Sequence, residues 1–456
     1  MKLEKFAYNF FSKISFLTQL KDIISVISSF VKKRRFLKIK LLTVDYFILT
    51  ILSYIVLVDM INGFLMMEFS KIPISQIFKF FLIILLTFRL VKTKDFAFII
   101  LLLIVFQIGP FLGLLKNGSI KDFFSDAVVA TKWFNVPLSF FYFKTLFQGH
   151  SFPLLEIKIK QVVSRSFKLI TLNMFLGFLG LGMAFYNHGY GNAVGTRGYI
   201  FAGNELTILV LTLGFMIAMY FYQQGMYKKY IFLFLLFLIF SFLITSKTVL
   251  GGVALVFVIP VISSIKINAK LNQKWINRIF ITIVFGLPFL ISIFYFGIIN
   301  SGILNKLKYS LKRNDNDILT VVLSNRNNFI KKGWEVFVND YSIIGKLFGY
   351  GQNHHVTISG HLAEVDFFSL LFASGFFGLL TLIFVISYWL LNALKLKQNP
   401  SHIYAKPVLI YLWFLIIIAN LSGHIFGSGI AGYFIGLSIA AMFYYNPNRK
   451  SNEKLI

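Results

Sequence analysis

An all-α, polytopic membrane fold of about twelve transmembrane helices is predicted by three observations. The first is composition. Of 456 residues, 57% are hydrophobic and only 14% charged, with a mean hydropathy of +0.76. A soluble domain of this size needs a larger charged share at its surface. The second is run length: apolar stretches long enough to cross a hydrocarbon core of about 30 Å recur along the whole chain. The third is the placement of charge. The net charge of +28 sits in short segments between apolar runs, the pattern that orients membrane proteins, so no nucleic-acid partner is expected. The absence of cysteine excludes disulfides and thiolate metal sites.

Residues 1–41 are basic and partly apolar. Phe6, Phe10, Ile14, Leu17, Ile24 and Ile27 recur at roughly helical spacing, and the cluster Lys32-Lys33-Arg34-Arg35 follows. No small-residue cleavage site follows an apolar core, so the segment reads as a cytoplasmic amphipathic helix on an anionic leaflet, not a signal peptide. Nine spans are expected within 42–299, at 42–60, 74–90, 96–115, 123–147, 166–186, 199–222, 229–245, 248–265 and 279–299. Three more fall within 364–445, at 364–392, 405–423 and 427–445. The fourth span, with Asp126, Lys132, Asn135 and Pro137, is the least regular.

With the N-terminus inside, the connections 91–95, 148–165, 223–228, 266–278 and 393–404 lie in the cytoplasm with most of the loop lysines and arginines. The tail 446–456 joins them with Arg449, Lys450 and Lys454, so both termini are expected in the cytoplasm. The same register places the one long connection, 300–363, on the extracytoplasmic side, and long loops tend to carry function. This loop is net basic, and its residues 327–338 have the pattern of an amphipathic helix whose Ile330, Trp334 and Phe337 would face the membrane.

Candidate chemistry gathers at that face. Arg197 precedes the sixth span, with Asn204 and Glu205 at its start, and an intramembrane carboxylate is a functional hypothesis by default. Glu205 could pair with Arg197 if both line one cavity; the alternative is an arginine that snorkels. Lys247, in Thr245-Ser246-Lys247-Thr248, is either a cation beside the site or part of a tight turn. Arg313 and Arg326 offer planar guanidinium groups suited to bidentate phosphate binding, against the alternative of solvated loop charges. The stretch from Asn314 to Gly378 then runs through Gly349-Tyr350-Gly351, His354 and His355 to His361, Glu364 and Asp366. The two carboxylates are also what the first turn of a helix favours. In a regular helix His361 and Glu364 share a face and Asp366 points elsewhere. The adjacent His354 and His355 are poor metal ligands, because neighbouring side chains rarely converge on one ion. No metal site is expected.

These residues resemble the O-antigen ligase and Wzy-type polysaccharide polymerase superfamily. The shared pattern is Arg326 before a tryptophan-bearing helix, Gly349-x-Gly351, an acidic or His-containing signature, and an apolar helix with Gly375-x-x-Gly378. Glu364-x-Asp366 looks like the version in capsule and exopolysaccharide polymerases, and Glu364-Val365 stands where ligases carry His-Asn. Arg197 with Gly203-Asn204 is similar to the family's mid-chain arginine and asparagine. Ser246-Lys247 falls where many members have Ser-Arg, and His424 resembles a histidine near the penultimate span. The spacing around Arg197 and Arg326 departs from that of some polymerases.

The resemblance implies a GT-C-like fold in a bacterial cytoplasmic (inner) membrane. It also implies glycan transfer from an undecaprenyl-pyrophosphate carrier to a sugar hydroxyl on a second lipid-linked repeat unit, with no cofactor. Arg197, Arg326, Arg313 and Lys247 would bind the pyrophosphate. Glu364, or else His361 or Asp366, would act on the hydroxyl, and Asn204, Glu205 and His424 would contact substrate. A chain-length regulator and a flippase of the same pathway are the implied partners. The alternatives are an O-antigen ligase-type transferase and a lipid-linked oligosaccharide flippase. A flippase would be expected to show related halves and mid-membrane charge. No convincing repeat is seen.

Overall fold

The computed structural model describes residues 34–69, 73–149, 152–186, 194–264, 295, 308–312, 314 and 317–445. Arg313, the ninth expected span apart from Tyr295, the tail 446–456 and most of the N-terminal segment lie outside the described residues.

The hydrophobic elements among the described residues are helices. They are α1 (Arg34–Leu52), α2 (Ile55–Glu68), α3 (Ile74–Leu90), α4 (Phe96–Asn117), α5 (Ile120–Gly149), α6 (Phe152–Phe178), α7 (Gly203–Gln223), α8 (Tyr227–Ile244), α9 (Lys247–Ser264) and, after the loop, α14 (Asp366–Leu396). Helices α15 (Ala405–Leu421) and α16 (Ala431–Ala440) complete the set, the latter extended by a short 3₁₀ turn, Ala441–Phe443. The loop carries α10 (Ile318–Val322), α11 (Arg326–Asn339), α12 (Ile343–Phe348) and α13 (Gln352–Ser359). The chain splits into two compact units, residues 1–50 and 51–456; most of α1 lies in the first, and the packing and site described below belong to the second.

Among the described residues five helices, α4, α7, α8, α9 and α14, are long and apolar enough to cross a membrane. The consecutive helices Thr43–Leu52 and Ile55–Glu68 make a sixth if counted together. Helices α15 and α16 are apolar but shorter. The protein is thus a helical, multi-pass membrane protein, and five or six of its helices qualify as spans among the described residues. Three expected spans differ in outline. The first is broken at 53–54, between α1 and α2. The fifth becomes α6, which starts at Phe152, ends at Phe178 and gives way to a β-hairpin, β1 (Met183–Tyr186) and β2 (Val194–Gly198). The twelfth contributes helix only from Ala431, after an irregular turn.

Small and polar residues set the closest packing. Helix α5 lies against α16, where Ser139 Oγ donates to Gly432 O at 3.1 Å and Asn135 Nδ2 to Gly429 O at 3.3 Å. Small side chains at such crossings let the two backbones approach. The Asp59 carboxylate accepts from Lys79 at 2.8 Å and from Ser75 Oγ, joining α2 to α3.

The loop docks through a break in α14. Gly375 has φ 65° and ψ −169°, a region nearly closed to side chains, and a Cβ there would collide with the Leu347 carbonyl. Breaking the helix frees carbonyls that must find other donors. Ala373 O accepts from Gly351 N at 3.0 Å, and Phe372 O from Tyr341 Oη at 3.1 Å. Asp126 of α5 accepts from Asn353 N at 2.8 Å, stabilising the positive end of α13. Phe337, Tyr341, Tyr350, Ala363, Leu371 and Phe372 form the core beneath, with Ile330 packed on it. The expected membrane-facing stripe of α11 is therefore corrected: Phe337 is 1% exposed inside this core and only Trp334, at 44%, faces outward. An amphipathic helix buries its apolar face on the nearest apolar surface, which here belongs to the loop itself.

Candidate functional site

Arg326 is the first residue of α11 and is placed by a tight turn. Ser324 and Asn325 both adopt positive φ, and Asn325 N donates to Thr320 O at 2.8 Å. Thr320 Oγ1 donates to Asp317 at 2.6 Å and accepts from Asn327 Nδ2 at 2.7 Å, which ties α10 to α11. So held, Arg326 Nη2 donates to Glu364 Oε2 at 3.1 Å. The two side chains are unequal: Arg326 is 13% exposed and Glu364 38%. Arg326 Nε is buried and has no hydrogen-bond partner. Lys247 Nζ donates to Val321 O at 2.6 Å, in the same turn, within electrostatic reach of Arg326.

The second wall is the irregular turn 422–430 between α15 and α16. Gly423 and His424 both have positive φ, and a Cβ on Gly423 would collide with the Glu364 carbonyl. Two buried carboxylates anchor the turn. Asp366 accepts from Ile425 N at 2.9 Å and Phe426 N at 2.7 Å. Glu205 Oε2 accepts from Gly429 N and Ile430 N, each at 3.0 Å, and Oε1 accepts from Lys132 Nζ at 3.0 Å. His424 lies between the anchors, within electrostatic reach of Glu364, Glu205, Arg326 and Lys132. Burial lowers its pKa, and Glu364 acts in the opposite direction.

The structure thus brings together Arg326, Glu364, Lys247 and His424, with Lys132 and Glu205 behind them. Others go elsewhere. Asp366 points into the turn, and its Oδ2 accepts from two backbone amides. His361 is exposed and stacks on Phe329, one turn beyond Arg326, with ring centroids 4.6 Å apart. Glu205 pairs with Lys132, not with Arg197. Arg197 lies on β2, donates to Phe201 O, sits over the Phe201 ring and has a buried, unpartnered Nε. Asn173 of α6 holds the hairpin, donating to Arg197 O at 3.0 Å and accepting from Tyr199 N at 2.8 Å. Asn204 is exposed in the first turn of α7.

His354 and His355 belong to the loop core. His355 stacks on Phe372 with centroids 4.4 Å apart, and burial pushes its pKa down to about 4. Lys132 is the residue that sequence reasoning overlooked. It counted only as a charge that made its span irregular, although an intramembrane cation calls for a partner of opposite sign on another helix.

A mostly buried guanidinium thus faces a more accessible carboxylate, with a lysine and a histidine beside them. Residues 301–444 match the family model described as O-antigen ligase like membrane protein. That segment holds Arg326, Glu364, Asp366 and His424, and over it the chain is similar to the O-antigen ligase-like family. The match covers that segment alone, and the family it names is one of membrane proteins. No curated protein matches the chain, and no solved structure does.

Proposed function

We propose that this protein is a polysaccharide polymerase. It transfers glycan from an undecaprenyl-pyrophosphate carrier to a sugar hydroxyl of another lipid-linked repeat unit, at the outer face of a bacterial inner membrane. The architecture would be GT-C-like, with the segment 300–363 outside and both termini in the cytoplasm, working with a flippase and a chain-length regulator of the same pathway. The observation that carries this reading is the Arg326–Glu364 pair, 3.1 Å apart, within the family-matched segment.

The pair suggests how substrate would prime the site. At rest Arg326 neutralises Glu364. An incoming pyrophosphate offers the guanidinium a stronger, bidentate partner, with Lys247 adding charge nearby. Glu364 is then released to accept a proton from the attacking hydroxyl. The hydroxyl oxygen bonds to the anomeric carbon as the bond from that carbon to the pyrophosphate oxygen breaks. The electron pair leaves with the pyrophosphate, whose charge Arg326 stabilises. Asp366 would position the 422–430 turn, while Arg197 and Arg313 are carrier contacts from the hairpin and the loop.

The test is polymerisation of a defined undecaprenyl-pyrophosphate repeat unit by the purified protein. Arg326→Ala and Arg326→Lys should each lower polymer formation by more than about a hundredfold while the protein stays in the membrane. Wild-type chain length in Arg326→Ala cells would remove this assignment. The description of the matched family favours a second reading, a ligase that attaches finished glycan, against which Glu364-Val365 replaces the ligase-type His-Asn. Loss of a polymerase leaves single exported repeat units, and loss of a ligase leaves carrier-bound polymer.

A further inference from the structure

A second chemically distinct region lies at the opposite end of the bundle. A cavity of about 420 Å³ opens between α6, α7, α15 and α16, a volume typical of ligand pockets. Tyr220 on its wall lies about 22 Å along α7 from Glu205 at the candidate site, by the helical rise per residue. Most of the wall is apolar, with Val163, Phe167, Met216, Met219, Val408 and Leu437 among the lining residues.

The polar groups of the cavity are concentrated on one face of α6. Lys160, Ser164 and Lys168 follow one another at successive turns and all line the cavity. Residues four apart on a helix share one face, so the three side chains border the same side of the cavity. Lys160 is held at 2.6 Å by Glu156 and lies 4.5 Å from the centroid of the Tyr220 ring. Glu156 also accepts from Tyr444 Oη at 3.1 Å, and Tyr404 packs edge-on against Tyr444. Lys168 is exposed and has no hydrogen-bond or ion-pair partner among the described residues. A lysine without a partner beside an apolar cavity is suited to an anionic group that enters the cavity from outside the chain.

We propose that this cavity binds an anionic glycerophospholipid, its acyl chain filling the apolar part and its phosphate held by Lys160, Ser164 and Lys168. The lining tyrosines Tyr220, Tyr404 and Tyr444 suit the boundary between hydrocarbon and headgroup, where aromatic residues with a polar tip concentrate. Charge complementarity selects the occupant: two lysines against one carboxylate leave a net positive mouth, which a net-neutral lipid does not match. The proposal stands independently of the reaction at the other end.

The experiment uses the full-length protein in detergent. Binding of phosphatidylglycerol and of phosphatidylcholine with identical chains is followed by native mass spectrometry and by thermal unfolding. Phosphatidylglycerol should bind and raise the melting temperature, and phosphatidylcholine should not. Lys160→Gln with Lys168→Gln should weaken phosphatidylglycerol roughly thirtyfold, each lysine contributing on the order of fivefold. Met216→Trp, which fills the cavity, should abolish binding without lowering the lipid-free melting temperature, so that loss of fold is told apart from loss of site. Equal binding of both lipids, unchanged binding in either variant, or displacement of phosphatidylglycerol by polyprenyl phosphate at equal concentration would overturn the proposal.

Discussion

Two groups of carboxylates meet near the 422–430 turn and use their oxygens in opposite ways. Asp366 and Glu205 are buried, and each accepts two backbone amides of the turn. Glu364, two residues before Asp366, is 38% exposed and meets a single guanidinium. A carboxylate oxygen that accepts two backbone amides holds structure, because removing it leaves those amides buried and unpaired. A carboxylate held by one side chain can exchange that partner when a better anion arrives. Proximity in sequence therefore says little about role here. The backbone does: Glu364 at φ 56° stands just outside α14, and Asp366 is its first residue.

The sharpest break of this contrast is Asp366→Ala. Two amides lose their acceptor in a buried turn, and stability should fall by about 2–5 kcal/mol, read as melting temperature in detergent. His424 should be displaced with the turn, so activity falls too. A variant of normal stability and no activity would move Asp366 into the chemistry and erase the distinction.

Gly375→Ala tests the platform both regions share. The residue needs φ 65° and ψ −169°, and a methyl group there meets the Leu347 carbonyl. A cost of about 2–4 kcal/mol is expected, with faster proteolysis of 318–360 than of the helices of the body. Uniform destabilisation, without preferential cleavage of the loop, would show that the break in α14 is not what docks it.

Acid should loosen the same platform. His355 has its pKa lowered to about 4 by burial, against about 6.5 for the unfolded chain. The unfolded state therefore takes up the proton first as pH falls. The stability contributed by neutral His355 is fully present above about pH 6.5 and is lost between there and pH 4, by at most about 3 kcal/mol. His355→Phe should flatten that part of the stability curve, measured by thermal unfolding across the window. An unchanged acid slope would show that other groups set it.

These elements also show what was legible beforehand. The bounds expected at 74–90 are those of helix α3, because Pro73 precedes a largely apolar run that ends just ahead of Lys92, although with Lys79 and Arg89 inside it the helix is not one of those long and apolar enough to cross a membrane. The hairpin after α6 was not foreseen, since the apolar run through Met183–Tyr186 has the hydropathy of a span; Gly180 and Gly182, both at positive φ, were the available signal. Arg326 and Glu364 were legible as residue types in a loop-to-helix pattern. Their pairing across thirty-eight positions was not, because it depends on how the loop folds back onto α14. The Lys132–Glu205 pair was hidden similarly: each charge was visible, but hydropathy cannot say which helices are neighbours.

The smallest expected effect is the most discriminating. Glu364→Gln removes the charge but keeps a hydrogen-bond acceptor for Arg326. A partly exposed ion pair contributes little to stability, so the change should be below about 1 kcal/mol. Polymer formation should nevertheless fall by a hundredfold or more, because an amide cannot take the hydroxyl proton. If Glu364→Gln instead destabilises as much as Asp366→Ala, the carboxylate is a further anchor of the turn. If it retains activity, proton acceptance passes to another group, and His424, on the opposite wall, is the nearest in chemistry.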